Sequence, residues 1–167
     1  MNVVKGFVAQ YQLVPHPEGG YYKETYRSGV VLNKELLPLG FCGDRNSSTA
    51  IYFLLEQGNF SAFHRIKSDE CWHFYSGHTL LIHVLETSGN FYTIKLGNDA
   101  ANGEVFQAIV PANSWFASEP APNGSYCFVG CTVSPGFHFE DFELGKAAEL
   151  STDYPSKKEL ISRLCRQ

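Results

Sequence analysis

The chain has 167 residues, 44% hydrophobic and 18% charged, with a net charge of -4. That is enough apolar chain for one sizeable core, a single domain over residues 1–167, and it excludes disorder. There is no run of Lys or Arg, so neither nucleic acid nor an anionic membrane is an expected partner.

The first residues, "MNVVKGFVAQYQLVPHPEGG", lack the long apolar core and small-residue cleavage site of a secretory leader. Val4, Phe7, Val8 and Tyr11 follow helical spacing and predict a short N-terminal helix that stops before Pro15 and Pro17. Gly19-Gly20 then opens "YYKETYRS", an alternating strand in which Glu24 and Tyr26 share one face and Arg27 takes the other. "STAIYFLLE" is almost unbroken apolar and predicts a strand covered on both sides. Further strands are predicted in "NFSAFHRI", "ECWHFY", "HTLLIHVLE", "NFYTIKL", "EVFQAIV", "SWFAS" and "SYCFVGCTV", separated by Gly, Asn, Asp and Pro turn signals. Many short, punctuated strands make a sandwich or barrel. Near the C-terminus, Ser156 and Glu159 have capping-box spacing before Leu160, Ile161 and Leu164, which predicts one last helix lying on the sheet. The five cysteines include no Cys-x-x-Cys pair and read as reduced, mostly buried thiols of a cytoplasmic protein.

Two ionisable residues interrupt apolar strand faces. His64 shares parity with Phe60, Ala62 and Ile66, and Glu70 shares parity with Trp72 and Phe74. "KSD" between the two strands reads as a three-residue hairpin loop that pairs Ile66 with Glu70 and His64 with Trp72. A carboxylate on an inward apolar face needs a partner or stays protonated. The residues alone leave a satisfied core pair, a metal and a ligand group all open.

The spacing from Gly58 through His64 and Glu70 to Gly77 resembles the first motif of the cupin superfamily, Gly-x5-His-x-His-x3/4-Glu-x6-Gly. The second cupin motif survives only in outline, from Gly103 to Pro111 and Phe116. "PHPEGGYYKETYRS", "STAIYFLL", "FHRIKSDECWHFYSG" and "VSPGFHFEDFEL" resemble the signature blocks of the cupin-5 (DUF985) family. The resemblance implies an all-β, antiparallel jelly-roll barrel related in shape to the sugar epimerase RmlC, with a short helix at each end, and a homodimer.

Carried over by position, two of the four ligands of a metal cupin are His64 and Glu70. The other two positions hold Ile66 and Phe116, which cannot coordinate an ion. His64 and Glu70 are therefore at most weak metal candidates, and the expected cofactor is none beyond a weakly held divalent ion. "PHPEGGYYKETYR" is expected at the barrel mouth, with Glu24 and Arg27 as ligand contacts and Tyr26 as a candidate acid. Trp72 and Trp115 are expected inside the barrel or at its rim, as ligand contacts. "SPGFHFEDFE" is expected to close the mouth or to meet a second subunit, its charges in solvent.

No P-loop, dinucleotide turn, Gly-x-Ser-x-Gly or His-Glu-x-x-His occurs. The leading expectation is a pocket for a small polar, carbohydrate-like molecule. In it, epimerase or isomerase chemistry would use His64 as base, oriented by Glu70, and Tyr26 as acid. The competing expectations are a non-catalytic binder that uses the same pocket, and a structural protein with a vestigial site.

Overall fold

In the computed structural model, which describes residues 3–166, the helical apolar spacing near the N-terminus forms α1 (Val3–Tyr11). It is followed by β1 (Val14–Pro15), β2 (Tyr21–Arg27), β3 (Val31–Leu32), β4 (Arg45–Asn46) and β5 (Thr49–Glu56). Next come β6 (Ser61–Arg65), β7 (Asp69–Gly77), β8 (Leu80–Leu85), β9 (Phe91–Leu96) and β10 (Gln107–Val110). The chain continues with β11 (Trp115–Pro120), β12 (Tyr126–Ser134), β13 (Glu143–Leu144), α2 (Ala147–Asp153) and α3 (Lys158–Leu164). Every strand predicted from alternation is present.

The strands form a six-stranded sheet in the order β1-β2-β5-β12-β7-β10 and a five-stranded sheet in the order β13-β6-β11-β8-β9. All their pairings are antiparallel. The non-sequential neighbours are the crossovers of a jelly roll, as expected. Inward residues of both sheets meet in a core that includes Phe53, Leu55, Trp72, Ile82, Val84, Phe116 and Val129. Outside the six-stranded sheet, α1 packs Val4, Phe7 and Tyr11 onto Leu54 and Phe128. That cover explains the unbroken apolar run of β5, whose alternate residues are buried on two sides. Outside the five-stranded sheet, α2 and α3 press Leu150, Ile161 and Leu164 onto Phe63, Leu85 and Trp115. Among the described residues no helix is long and apolar enough to cross a membrane.

Four expectations are corrected. "KSD" is a corner, not a hairpin. His64 lies opposite Phe116 and Leu144 in the five-stranded sheet, whereas Trp72 lies opposite Ala108 and Cys131 in the six-stranded one. The chain changes sheets between β6 and β7, so their inward residues face each other across the barrel rather than along one ladder. Trp115 points out of the barrel. Phe116 is paired with His64 and faces in with it, so its chain neighbour must face out. There Trp115 packs beneath the C-terminal helices, with the Arg65 guanidinium 4.5 Å from its ring centroid. The Ser156–Glu159 capping box does not form. Residues Pro155–Lys157 make a 3-10 turn instead, and no side chain caps α3. Finally, one charge of the "SPGFHFEDFE" segment is not in solvent. Asp141 is 7% exposed and is held by Arg45 at 2.6 and 2.9 Å.

Candidate functional site

A cavity of about 690 Å³ opens at one end of the barrel, a volume in the range of small-molecule sites. Its walls come from both sheets. Tyr22, Ile51, Phe53, Glu70, Trp72 and Cys131 face it from the six-stranded sheet; His64 and Ile66 come from and follow β6. Phe137, His138 and Phe139 lie over the mouth, so the aromatic segment closes the barrel as one of its two expected roles required. The Arg45–Asp141 pair, with Lys67 Nζ 3.4 Å from Asp141, anchors that segment.

The deepest polar contact involves Glu18, which the sequence reading did not single out. His16 accepts the N–H of Gly19 on its carbonyl and donates its own N–H to the carbonyl of Gly20, each at 3.0 Å, which closes a tight turn. Gly19 and Gly20 have φ of +121° and +73°, and a Cβ at either would meet a backbone oxygen, 2.1 Å away at Gly19 and 2.7 Å at Gly20. Only glycine fits both conditions. The turn turns the Glu18 side chain inward, where Oε1 accepts from Ser61 Oγ at 2.8 Å and Oε2 lies 3.1 Å from His64 Nε2. Periodicity has no purchase on a turn. The one signal available was an acid set between a rigid Pro-His-Pro and two glycines.

The tautomer of His64 follows from its other nitrogen. Nδ1 is 2.7 Å from the carbonyl of Ala62, which can only accept, so Nδ1 carries a hydrogen. Burial holds the imidazole below its usual pKa, against the opposing pull of Glu70. Burial likewise pushes the Glu18 carboxyl up, opposed by His16 and by the Ser61 hydroxyl. Both shifts run toward the uncharged forms, in which the Glu18 carboxyl is the donor to the free Nε2 of His64. His16, whose Nδ1 is 3.5 Å from Glu18 Oε2, is also held below its usual pKa, chiefly by burial.

Glu70 faces this pair from the opposite wall and is 7% exposed. Among the described residues it has no basic partner within 4 Å, so the direct partner of His64 is Glu18 and not Glu70. Burial pushes the Glu70 carboxyl up to about 7, His64 pulls the other way and Glu18 adds to the rise. Beside it, the Cys131 thiol is pushed well above its usual range by burial and by the neighbouring carboxyl, which leaves it un-ionised. Three further histidines lie away from the cavity: His73 bonds Thr132 and Gln107, His78 accepts from Ser125, and His83 bonds Thr93 and Glu119.

At the mouth, β2 carries a bulge between Glu24 and Tyr26. The extra residue, Thr25, breaks the alternation. Glu24 and Arg27 therefore both reach the cavity rim, while Tyr26 turns away, is 54% exposed and does not line the cavity. Trp72 does line it, and its indole N–H is buried with no partner among the described residues. Trp115, as described, is outside.

The donors present do not fit the ion of metal cupins. Ile66 is part of the cavity wall, and the Phe116 ring centroid lies 4.1 Å from that of the His64 imidazole. The nitrogen of His64 that an ion would need faces Glu18. Among the described residues no group of three or more His, Cys, Asp or Glu is arranged to hold a metal.

The barrel has well-matched relatives. A protein of Leishmania major, described as hypothetical, superposes with a TM-score of 0.89 at 33% identity, over 98% of each chain. Protein SO0799 of Shewanella oneidensis superposes with a TM-score of 0.86 at 38% identity, over 97% of this chain and 96% of that one. The uncharacterized protein YML079W of Saccharomyces cerevisiae is 33% identical over 153 residues, 80% of this chain and 71% of its own. A variant of oxalate decarboxylase from Bacillus subtilis shares the fold alone, with a TM-score of 0.54 at 16% identity over 36% of its length. The family model described as "Cupin superfamily (DUF985)" matches residues 5–145, through both walls of the cavity and the segment over its mouth, and the chain belongs to that family, Cupin_5.

Proposed function

We propose that the cavity is an acid–base site for a small polar molecule, of the kind that moves a proton on and off carbon in an isomerase or epimerase. The observation that carries this reading is the placement of proton-holding groups on two facing walls. The Glu18–His64 pair keeps one mobile proton on one side, and Glu70 stands on the other with a carboxyl that titrates near neutrality. A base works best when its pKa lies close to the operating pH. Inverting a carbon centre needs one group to take a proton from one face and another to supply it on the opposite face. In this reading Glu70 is the base, and the Glu18–His64 pair returns the one proton it holds from the Glu18 carboxyl, which lines the cavity. Tyr26 has no part in it. Tyr22, which lines the cavity, is the tyrosine placed to touch a ligand.

A second reading, binding without turnover, draws on the mutual satisfaction of Glu18 and His64, which is also how a structural buried pair is arranged. The test is to incubate the protein with aldoses, ketoses and hydroxy-ketones in heavy water and follow deuterium entry at carbon by NMR. Exchange that disappears in Glu70→Gln and in His64→Asn supports the acid–base reading. A compound that binds in the cavity and shows no exchange with any substrate tried leaves a binding protein.

A further inference from the structure

The charge balance of the cavity points to the class of ligand. We infer that the molecule bound there carries a cationic nitrogen, an ammonium or amidinium group seated against Glu70; this rests on the cavity being the functional site proposed above.

Glu70 is a buried carboxyl that lines the cavity and has no basic partner among the described residues. Its one close hydrogen-bonding neighbour is the Cys131 thiol, a weak donor. Buried carboxylates are otherwise paired, and the open side of Glu70 is the cavity itself. The other acid at this depth, Glu18, is already committed to Ser61 and His64.

Among the described residues that line the cavity, no permanently charged cation is free to hold an anion. Arg27 is the one permanently cationic side chain among the described residues that line the cavity, and its guanidinium is saturated. Nε and Nη2 grip Glu24 at 3.0 and 2.7 Å, Nη1 reaches Asn46 at 2.9 Å, and Nη1 and Nη2 each reach the carbonyl of Phe137 at 3.3 Å. A guanidinium has five N–H groups, so none is left for a ligand. Arg27 therefore braces the mouth segment instead of contacting a ligand. Arg45 and Lys67 are both spent on Asp141, and Arg166 bonds the carbonyls of Glu18 and Phe60 from behind the turn. A phosphate or carboxylate entering the cavity would face Glu70 uncompensated, which is discrimination by repulsion.

The walls suit a cation. Tyr22, Phe53, Trp72, Phe137 and Phe139 supply aromatic rings around the space before Glu70. Ring faces are negative, and a cluster of them with a carboxylate at its base is the usual chemistry for recognising organic ammonium groups.

The experiment uses two matched series on the full chain at low salt: benzylamine, benzyl alcohol and benzoate, and glucosamine, glucose and glucuronate. Affinities are read by calorimetry and ligand-observed NMR. The expected result is an amine bound at least about tenfold tighter than its alcohol partner in one series or both, with the acid unbound. In Glu70→Gln, an isosteric change that keeps the fold, the preference falls to about twofold or less. In wild type, added salt weakens the amine and leaves the alcohol unchanged, a readout that survives even if the variant fails to fold. Amine and alcohol binding equally would overturn the inference and leave the acid–base reading standing. An acid that binds tighter than its amine would overturn it as well, as would an amine preference undiminished in a folded Glu70→Gln. Failure of all six compounds to bind would overturn both the inference and the functional reading beneath it.

Discussion

Glu18 Oε2 lies 3.1 Å from His64 Nε2, and the carbonyl of Ala62 fixes which nitrogen of that ring holds its own hydrogen. A turn and a strand far apart in sequence thereby share one proton at the inner end of the cavity. This relationship makes a spectroscopic prediction. Wild-type protein at neutral pH should show the infrared carbonyl stretch of an un-ionised carboxylic acid, and Glu18→Gln should remove part of it. Glu18→Ala should also destabilise the fold by about 1–3 kcal/mol in urea, because His64 Nε2 is then buried without a partner.

Glu70 should tilt stability against pH. Its carboxyl titrates at about 7 in the fold and near the ordinary 4.5 when unfolded. Between these values the folded chain holds a proton that the unfolded chain has released. Stability is therefore highest below pH 4.5 as far as this group is concerned, falls as pH rises through the window, and levels off above 7. At about 1.4 kcal/mol per pH unit the total is of order 3 kcal/mol. Glu70→Gln should abolish that slope and be the more stable protein at alkaline pH. Urea titrations near pH 5 and near pH 8 check both statements.

The ion pair beneath the mouth should be costly to break. Arg45 and Asp141 are 3% and 4% exposed in their side chains, and Arg45 donates to both carboxylate oxygens. Burial pushes the Asp141 carboxyl up, but Arg45 and Lys67 outweigh it and hold it below its usual value. Asp141→Ala leaves a buried guanidinium without its main partner, at a cost of about 3–5 kcal/mol. The loosened segment carries Phe137 and Phe139, so hydrogen exchange should rise first across residues 136–142.

A third ionic cluster docks the C-terminal helix. Glu119 receives His83 Nε2 at 3.1 Å and is gripped by both terminal nitrogens of Arg163. Burial pushes the Glu119 carboxyl up, yet these bonds win and bring it down to about 2. Its contribution is present above pH 4.5 and is lost as pH falls toward 2. Because the pair is partly solvated, the contribution is discounted to about 1 kcal/mol. Glu119→Gln should loosen α3 at neutral pH, where wild type keeps the pair, and remove the acid-dependent step below pH 4.5, visible as earlier loss of amide protection at Ile161 and Leu164 than in the barrel strands.

The expected homodimer has a place to form. β10 ends the six-stranded sheet, pairs only with β7 and exposes Ile109, with Phe106 exposed just before it. Open edges of this kind invite pairing with a second chain. Light scattering at micromolar concentration should give twice the chain mass, and Ile109→Lys should shift it toward one. A monomeric wild type removes the claim.

Alternation was a sound guide wherever a residue sat in an unbroken strand, which is why His64, Glu70 and Trp72 were legible as inward-facing. It failed where the backbone left the pleat. Thr25 inserts one position into β2, so Tyr26 and Arg27 exchange the faces that parity assigned them. Trp115 needed only consistency: with Phe116 inward it had to face out. The corner after Ile66 depends on which sheet each strand joins, and that is decided by contacts distant in sequence. Glu18 sits in a turn with no period to read, and the short helix α2 has too few apolar positions to stand out from its surroundings.

The bulge in β2 has a wider meaning. Pairing register, and not side-chain identity alone, decides what this barrel shows at its entrance. Were Thr25 taken into a regular ladder opposite Ala50, with Tyr26 and Arg27 each moved on by one position, a phenol would come to the rim and the guanidinium would go to the outer surface, taking with it the brace on Phe137. A one-residue slip in pairing would thus rewrite the threshold of the cavity while leaving every side chain deep inside it unchanged.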